Sequence, residues 1–336
     1  MKVYPIEIKW NPDMPVFARE NFLRAVGDEY GWLGGFDNKG QLLFILPYTI
    51  IKKAFLRIVR FRVETIKTNP SSNLQDEKEF LNMCVEYFRS KKTDLIMPAT
   101  TNAIFHTFPD GAIAAPYGTY IIDLQQPEDK LWQNIERITR QNIKRAIKLG
   151  VVVQKYEGSL ETVHALIRST FKRSQLPFMN FNSFIKFIEG LGEYGLIMTA
   201  DLNESIQSCV VFAFSSYCAY AVYAGNIDHI VQGANKLLYW EAIRYFKNLG
   251  VKKYDFVGTR INPTRGTKQE ALSTFKKHFG CTLIKGFIWK YALNKFGYQL
   301  YNLAAKLRSG GDIVDAEKHK MKNYSIDDTF YSCRND

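Results

Sequence analysis

The run TFKKHFG, residues 274–280, sets two lysines, Lys276 and Lys277, between two phenylalanines, Phe275 and Phe279. On a helix, residues four apart share a face, so Phe275 and Phe279 should anchor the turn in the core. The two lysines then point about 100° apart, so one can serve a site while Lys277 meets solvent or a phosphate. Both charges would equally balance the negative end of the helix dipole. Upstream, YDFVG (254–258) ends at a glycine and opens into TRINPTRG, a loop carrying Arg260 and Arg265. Loops at strand ends in α/β sheets are common binding sites. Asp255 in that strand could orient an amine or a lysine, or hydrogen-bond the backbone of the next loop.

Two further stretches could carry charge chemistry. AVYAGN (221–226), with Tyr223 and Asn226, leads through a short loop to GANKLL, a helix start formed by Gly233, Ala234 and Asn235. A first helical turn has unpaired N–H groups and a positive dipole end, which suits an anionic donor. RITRQNIKRAIKLG carries Arg137, Arg140, Lys144, Arg145 and Lys148. That stripe is either a solvated basic face or a contact for phosphates of a substrate or an RNA backbone.

Other chemistries lack their residues. GxSxG, HExxH, Walker and GxGxxG motifs are absent. His278 reads as a helix-end residue rather than a catalyst. Cys84, Cys209, Cys218, Cys281 and Cys333 form no CxxC pair, and their odd number and wide gaps fit reduced thiols. Cys209 and Cys218, on adjoining strands, read as buried small side chains. Neither a covalent nucleophile nor a metal centre is supported; positioning and charge remain.

The elements that must hold these residues are legible in outline. The chain has 336 residues and a net charge of +12, which suggests two domains and a polyanionic partner: nucleic acid, a phosphorylated substrate or an anionic membrane face. The start, MKVYPIEIKWNPDMP, has no apolar signal core. LLFILPYTIIKKAFLRIVRF is interrupted by Pro47, Lys52 and Lys53, too broken to span a bilayer. A cytosolic protein follows, with docking at the inner face of a membrane left open. Residues 31–62 read as strands, QDEKEFLNMCVEYFRSKK as a helix, and 127–150 as the clearest helix, stopped by Gly150. The domain boundary is expected close to residue 150. The second half repeats the same α/β grammar: helices from 159 to 173 and over FNSFIKFIEGLG, a hairpin over 205–225, a helix ended by Gly250, and a helix over EALSTFKKHFG. The resulting division is 1–150, 151–294, and 295–336 as a C-terminal helix and polar peripheral tail.

In their order and spacing, LWQNIERITRQNIKRAIKLGVVV, NKLLYWEAIRYFKNLGVKKYDFVG and FKKHFG resemble the Fem family and its wider FemAB-like, BioF2-like relatives. The resemblance covers about residues 30–295. It implies two tandem domains of the Gcn5-related N-acetyltransferase fold, with a cleft on or between them and the C-terminal segment returning to the first domain. Residues 155–195 have no room for heptads, so a coiled-coil arm is not expected. The implied activity joins an amine acceptor, such as a nucleotide- or lipid-linked peptidoglycan precursor, to an acyl group already activated on aminoacyl-tRNA. No cofactor beyond that co-substrate is implied. Acetyl-CoA users of the fold carry Q/R-x-x-G-x-G/A; here HIVQGANKL puts Ile230 at the first position, which counts against CoA. FKKHFG aligns with the family's FK-x-x-F-G, which puts Lys276 near the transfer centre. Asp255 is the candidate base. Arg140, Lys144, Arg145, Tyr223, Asn226, Arg260, Arg265 and Lys277 are candidates for substrate contacts, and Gly233, Ala234 and Asn235 for the donor. Two other readings stand beside this one: an N-acyltransferase using acyl-CoA or an acyl-carrier protein on a sugar, lipid or small amine, and a non-catalytic binder of RNA or an anionic surface.

Overall fold

In the computed structural model, which describes residues 1–98, 102–309 and 311–324, alternating apolar residues build the first half as a meander. Lys2–Ile6 (β1), Glu29–Phe36 (β2), Leu42–Lys53 (β3) and Leu56–Phe61 (β4) pair antiparallel in chain order, with helix Glu20–Val26 (α1) before β2 and Ile66–Lys67 (β5) added to β3. Helix Leu74–Ser90 (α2) crosses over, and Leu95–Pro98 (β6) returns parallel to β4. The start of α2 is a capping box: the Asn73 side chain accepts the Gln75 and Asp76 N–H groups while the Asp76 carboxylate accepts the Asn73 N–H. Its Phe80, Cys84 and Phe88 are fully buried, as their four-residue spacing requires.

Ile113–Asp123 (β7), Glu128–Asn134 (α3) and Arg137–Lys148 (α4) lead into the second half. There Val152–Lys155 (β8), Gly195–Leu202 (β9), Ser205–Phe214 (β10) and Ala219–Asn226 (β11) form a second antiparallel meander, with helices Leu160–Arg173 (α5) and Phe181–Leu191 (α6) between β8 and β9. Helix Ala234–Asn248 (α7) crosses over, and Lys253–Asp255 (β12) returns parallel to β11. Each half is thus a meander, a crossover helix and a parallel strand. Thr259–Arg260 (β13), Lys268–Lys277 (α8), Thr282–Ala292 (β14), Lys295–Ser309 (α9) and Ile313–Glu317 (α10) complete the described chain.

The halves are laced by their last long strands. β7 lies beside β12 of the second half, and β14 bridges from β7 to β6 of the first, so one sheet runs through both. The core around Val151 draws Leu131, Ile135 and Ile143 from before residue 150 and Met198, Val210 and Leu238 from after it, so the packing does not part there. A separate apolar cluster joins the halves directly, with Phe17, Phe22 and Val63 against Phe187, Ala213 and Tyr220.

Two local expectations are revised. The segment 127–150 is two helices, because Ile135 is extended and the Glu136 N–H donates to the His278 carbonyl at 2.9 Å. The C-terminus of α8 therefore docks into the break. The polar segment after 309 is no peripheral tail where it is described. Lys290, enclosed in β14 with 0% side-chain exposure, donates to Asp312 at 2.7 Å and to Asp315 at 2.6 Å, while Arg260 and Lys320 pair with the buried Glu317. The acidic side chains are carried inward as counter-ions, Asp312 and Asp315 for the buried Lys290 and Glu317 for the partly exposed Arg260 and Lys320. Residue 310 and residues 325–336 of that segment lie outside the described residues. α9 lays Tyr298 and Tyr301 against Leu56, Ile58, Leu95 and Met97 of the first half.

Cys84, Cys209, Cys218 and Cys281 are free thiols; Cys333 lies outside the described residues. Among the described residues, no group of three His, Cys, Asp or Glu could hold a metal ion, and no helix is long and apolar enough to cross a membrane.

Candidate active site

β11 and β12 pair only at Ala219–Tyr254 and Tyr220–Asp255. Beyond that point they separate. β11 also carries a bulge: Phe212 pairs with Ala221 and Val211 with Tyr223, which leaves Val222 as the extra residue. Bulges concentrate next to active sites, where they break pairing and re-aim side chains. Val222, Tyr223 and Val257 all pack against the cluster that joins the halves, so the split opens at the junction between them.

The chain leaving β12 is held under strain. Val257 has φ 49°, a conformation that a β-branched residue avoids. Two side chains fix it. Asp255 Oδ1 accepts the Val257 N–H at 2.7 Å and the Thr119 hydroxyl. Lys276 Nζ donates to the carbonyls of Val257 and, at 2.9 Å, Gly258. An ammonium has three donors, so one remains after these two bonds. Burial draws the Lys276 pKa down to about 8; the attraction of Asp255 acts the other way. Strain of this kind costs on the order of 1–3 kcal/mol and persists where the surroundings over-determine it.

The frame around Lys276 follows the spacing of TFKKHFG. Phe279 is buried, and Phe275 and Phe279 both pack on Tyr239, while Lys277 is exposed. Asp255 lines a cavity of about 300 Å³ with Glu64, Lys253, Tyr217 and Tyr220. Glu64 and Tyr217 also line a second cavity, of about 310 Å³. Lys276 does not line either; its ammonium bonds the carbonyls of the loop that leaves Asp255. Glu64 was not singled out from sequence, although a carboxylate between Val63 and Thr65 in RVETIK was a signal for a buried anion.

The other sequence candidates are placed as follows. Tyr223 lies at the split, close to Arg60 and Arg62. The Asn226 side chain accepts from Ser208 at 2.7 Å and its N–H donates to Thr170, so it braces β11. Arg260 is paired with Glu317 at 3.0 Å. Arg140 donates to the Trp132 and Gln133 carbonyls and closes the end of α3. Lys144, Arg145 and Arg265 are exposed, the first two on α4. The expected open backbone at Gly233 and Ala234 is covered: both are buried, and a Cβ on Gly233 would overlap the Asn142 carbonyl of α4. Asn235 follows, partly buried. Because Gly233 also has φ 90°, Gly233→Ala is expected to lower stability by about 1–3 kcal/mol, read as a loss in thermal midpoint with α4 loosened from α7.

Comparison with known proteins bears on the fold and on residues 105–208. Residues 105–208 match the sequence model of the FemAB family. Over 89% of this chain and 99% of the other, the fold superposes on the crystal structure of FemX with a TM-score of 0.65 at 14% identity. It is also similar to the C-terminal domain of an Agrobacterium fabrum protein named as a lysylphosphatidylglycerol synthetase, with TM-score 0.53, 13% identity and coverage of 88% and 94%. A conserved protein of unknown function from Bacteroides thetaiotaomicron matches with TM-score 0.50, 12% identity and coverage of 83% and 90%. No curated protein sequence matches the chain. The resemblance to the Fem family is met over residues 105–208, which take in LWQNIERITRQNIKRAIKLGVVV and neither NKLLYWEAIRYFKNLGVKKYDFVG nor FKKHFG. The fold class is met as well: an α/β chain of two like units, superposing on FemX, with no coiled-coil arm among the described residues.

Proposed function

We propose that this protein is an acyltransferase that forms an amide bond between an amine acceptor and an acyl group already activated on a carrier, with aminoacyl-tRNA the favoured donor and a phosphate-bearing peptidoglycan precursor the favoured acceptor. The observation that carries the proposal is the split between β11 and β12, bordered by the Asp255–Val257–Lys276 clamp. The FemAB match over 105–208 supports the same class. The work would be done in the cytoplasm, where both reactants are supplied.

In this reading the split admits the activated acyl group beside the unpaired edge of β11, and the acceptor amine enters from the cavity at Asp255 and Glu64. Holding the two in contact replaces a bimolecular encounter, an effect worth up to roughly 7–11 kcal/mol. The remaining donor of Lys276 would stabilise the oxyanion of the tetrahedral intermediate. An α-amine with a pKa near ~8 loses its proton easily, whereas a lysine-type amine near ~10.4 needs the carboxylate of Asp255 or Glu64 as base. The tetrahedral intermediate expels the carrier's alcohol or thiol, and no enzyme-bound intermediate forms. Purified protein is incubated separately with charged tRNA and with acyl-CoA, each with candidate amines, and the acceptor is weighed by mass spectrometry. A mass gain with charged tRNA supports the reading, a gain with acyl-CoA alone transfers it to the CoA-dependent alternative, and no gain with either rejects acyl transfer.

Lys276 also predicts a pH signature. Its ordinary value is 10.5 and its folded value about 8. Between these pH values the unfolded chain binds more protons than the folded one, so stability rises with pH across that window. Relative to Lys276→Met, the wild type is therefore expected to gain stability from pH 8 to pH 10.5, measured by urea denaturation. A constant difference between the two would show that the amine is not desolvated.

A further inference from the structure

Glu77 lies in the first turn of α2, where the helix dipole favours a negative charge, and is only 3% exposed. Its Oε2 meets His106 Nδ1 at 3.2 Å. Its Oε1 is enclosed and has no hydrogen-bond partner among the described residues. The residue lines the cavity of about 310 Å³ that adjoins the one at Asp255. Thr65, between β4 and β5, lines the same cavity, and its hydroxyl is likewise enclosed without a partner. Two acceptor atoms of one cavity are therefore left over. Such atoms are rare in folded proteins, because each carries its desolvation cost with nothing to offset it.

The walls define the chemistry of a ligand. Asp13, Glu64 and Glu77 set three carboxylates against Lys67 and His106. Asp13 is exposed and paired with Lys252 at 2.9 Å, so Glu64 and Glu77 are the enclosed anions. Met14, Phe44, Val63 and Ile66 supply apolar surface. Carboxylate and hydroxyl acceptors among apolar walls fit an ammonium group on an alkyl stem, which has three donors and no acceptor. An amine held at Glu77 stays protonated, because a neighbouring carboxylate favours the charged form. A protonated amine has no lone pair with which to attack a carbonyl, so this cavity is an anchor and not the reacting position. Glu64 and Tyr217 line both cavities, and a stem anchored at Glu77 can carry a second amine past them toward Asp255.

We propose that Glu77 and Thr65 hold the ammonium group of a diamine, a ligand with two amines on one alkyl stem, whose second amine is the acceptor at Asp255. The proposal rests on the acyltransferase reading only in making that second amine the acceptor. Binding is measured with no acyl donor present, so the site and the activity fail separately. Cadaverine and hexamethylenediamine are titrated calorimetrically at neutral pH into wild type, Glu77→Gln and Thr65→Val, beside the monoamines pentylamine and hexylamine. The wild type is expected to bind at least one diamine about tenfold tighter than the monoamine of the same length, the effect of one hydrogen-bonded charge. Glu77→Gln keeps the shape of the side chain and should bring that ratio close to one. Thr65→Val leaves the carboxylate in place and should lower the ratio about threefold, which decides the matter if Glu77→Gln does not fold. Equal binding of diamine and monoamine by the wild type would overturn the ammonium site, and so would a ratio left unchanged by either folded variant.

Discussion

Lys276→Met is expected to lower amide-bond formation about 10²–10³-fold, the effect of removing one preorganised donor from a developing oxyanion. Methionine keeps the length and the apolar stem of the side chain but donates nothing. Two effects follow. The carbonyls of Val257 and Gly258 lose their partner, and the charge proposed to face the oxyanion is gone. The first alone would make the lysine a merely structural tie, so the readout must separate them. A neutral lysine still donates two hydrogen bonds and can still tie the loop, but it carries no charge. If the charge serves the reaction, the wild-type rate should fall as pH rises through about 8, where Lys276 loses its proton, and that limb should be missing in Lys276→Met. Lys276→Arg should restore little, because a planar fork does not replace a compact ammonium in this enclosed position. A Lys276→Met protein that folds and transfers at the wild-type rate would remove the lysine from the mechanism.

The second large effect concerns stability. Asp312→Asn with Asp315→Asn leaves Lys290, with 0% side-chain exposure, as a buried cation without its carboxylates. Removing the partner of a buried ion typically costs about 3–5 kcal/mol, and chemical denaturation should show a loss of that size. Replacing Lys290 by methionine in the same background should recover much of it, since the uncompensated charge is then gone. The wild-type arrangement has its own pH limit. Burial pushes the Asp315 carboxyl upward, but hydrogen bonds from Lys290 and Lys318 outweigh this and hold it below its ordinary 3.8. Its contribution is present above that value and is lost as pH falls through the lower folded value. Docking of α10 on β7 and β14 should therefore loosen only in strong acid, seen as early hydrogen exchange at Val314.

What could be read in advance was local. The apolar spacing of Phe80, Cys84 and Phe88 and the framing of Lys276 by Phe275 and Phe279 both depend on residues within one or two turns of each other. Asp255 was assigned either to a lysine or to the next backbone turn; it accepts the Val257 N–H and acts on Lys276 through space. Long-range partners were not legible. Arg260 looked available until Glu317, more than fifty positions later, claimed it. Gly233 looked like open helix start until Asn142 closed over it. RIVRFR reads as a strand, and nothing in its alternation says that the second half will bring Tyr223 up to Arg60 and Arg62. The exchange of β7 and β14 between the halves has no local signal, because strand propensity does not name the neighbour.

Hydrogen exchange at the edge of β11 tests most directly the claim that transfer takes place in the split. The donor that gives the mass gain is added to the wild type without acceptor, and amide protection is compared with the ligand-free protein. Protection is expected at residues 221–226 and 256–258, weaker in Lys276→Met, with no label left on the protein after the donor is washed away. Protection confined to the basic face of α4, with 221–226 and 256–258 unchanged, would contradict the account.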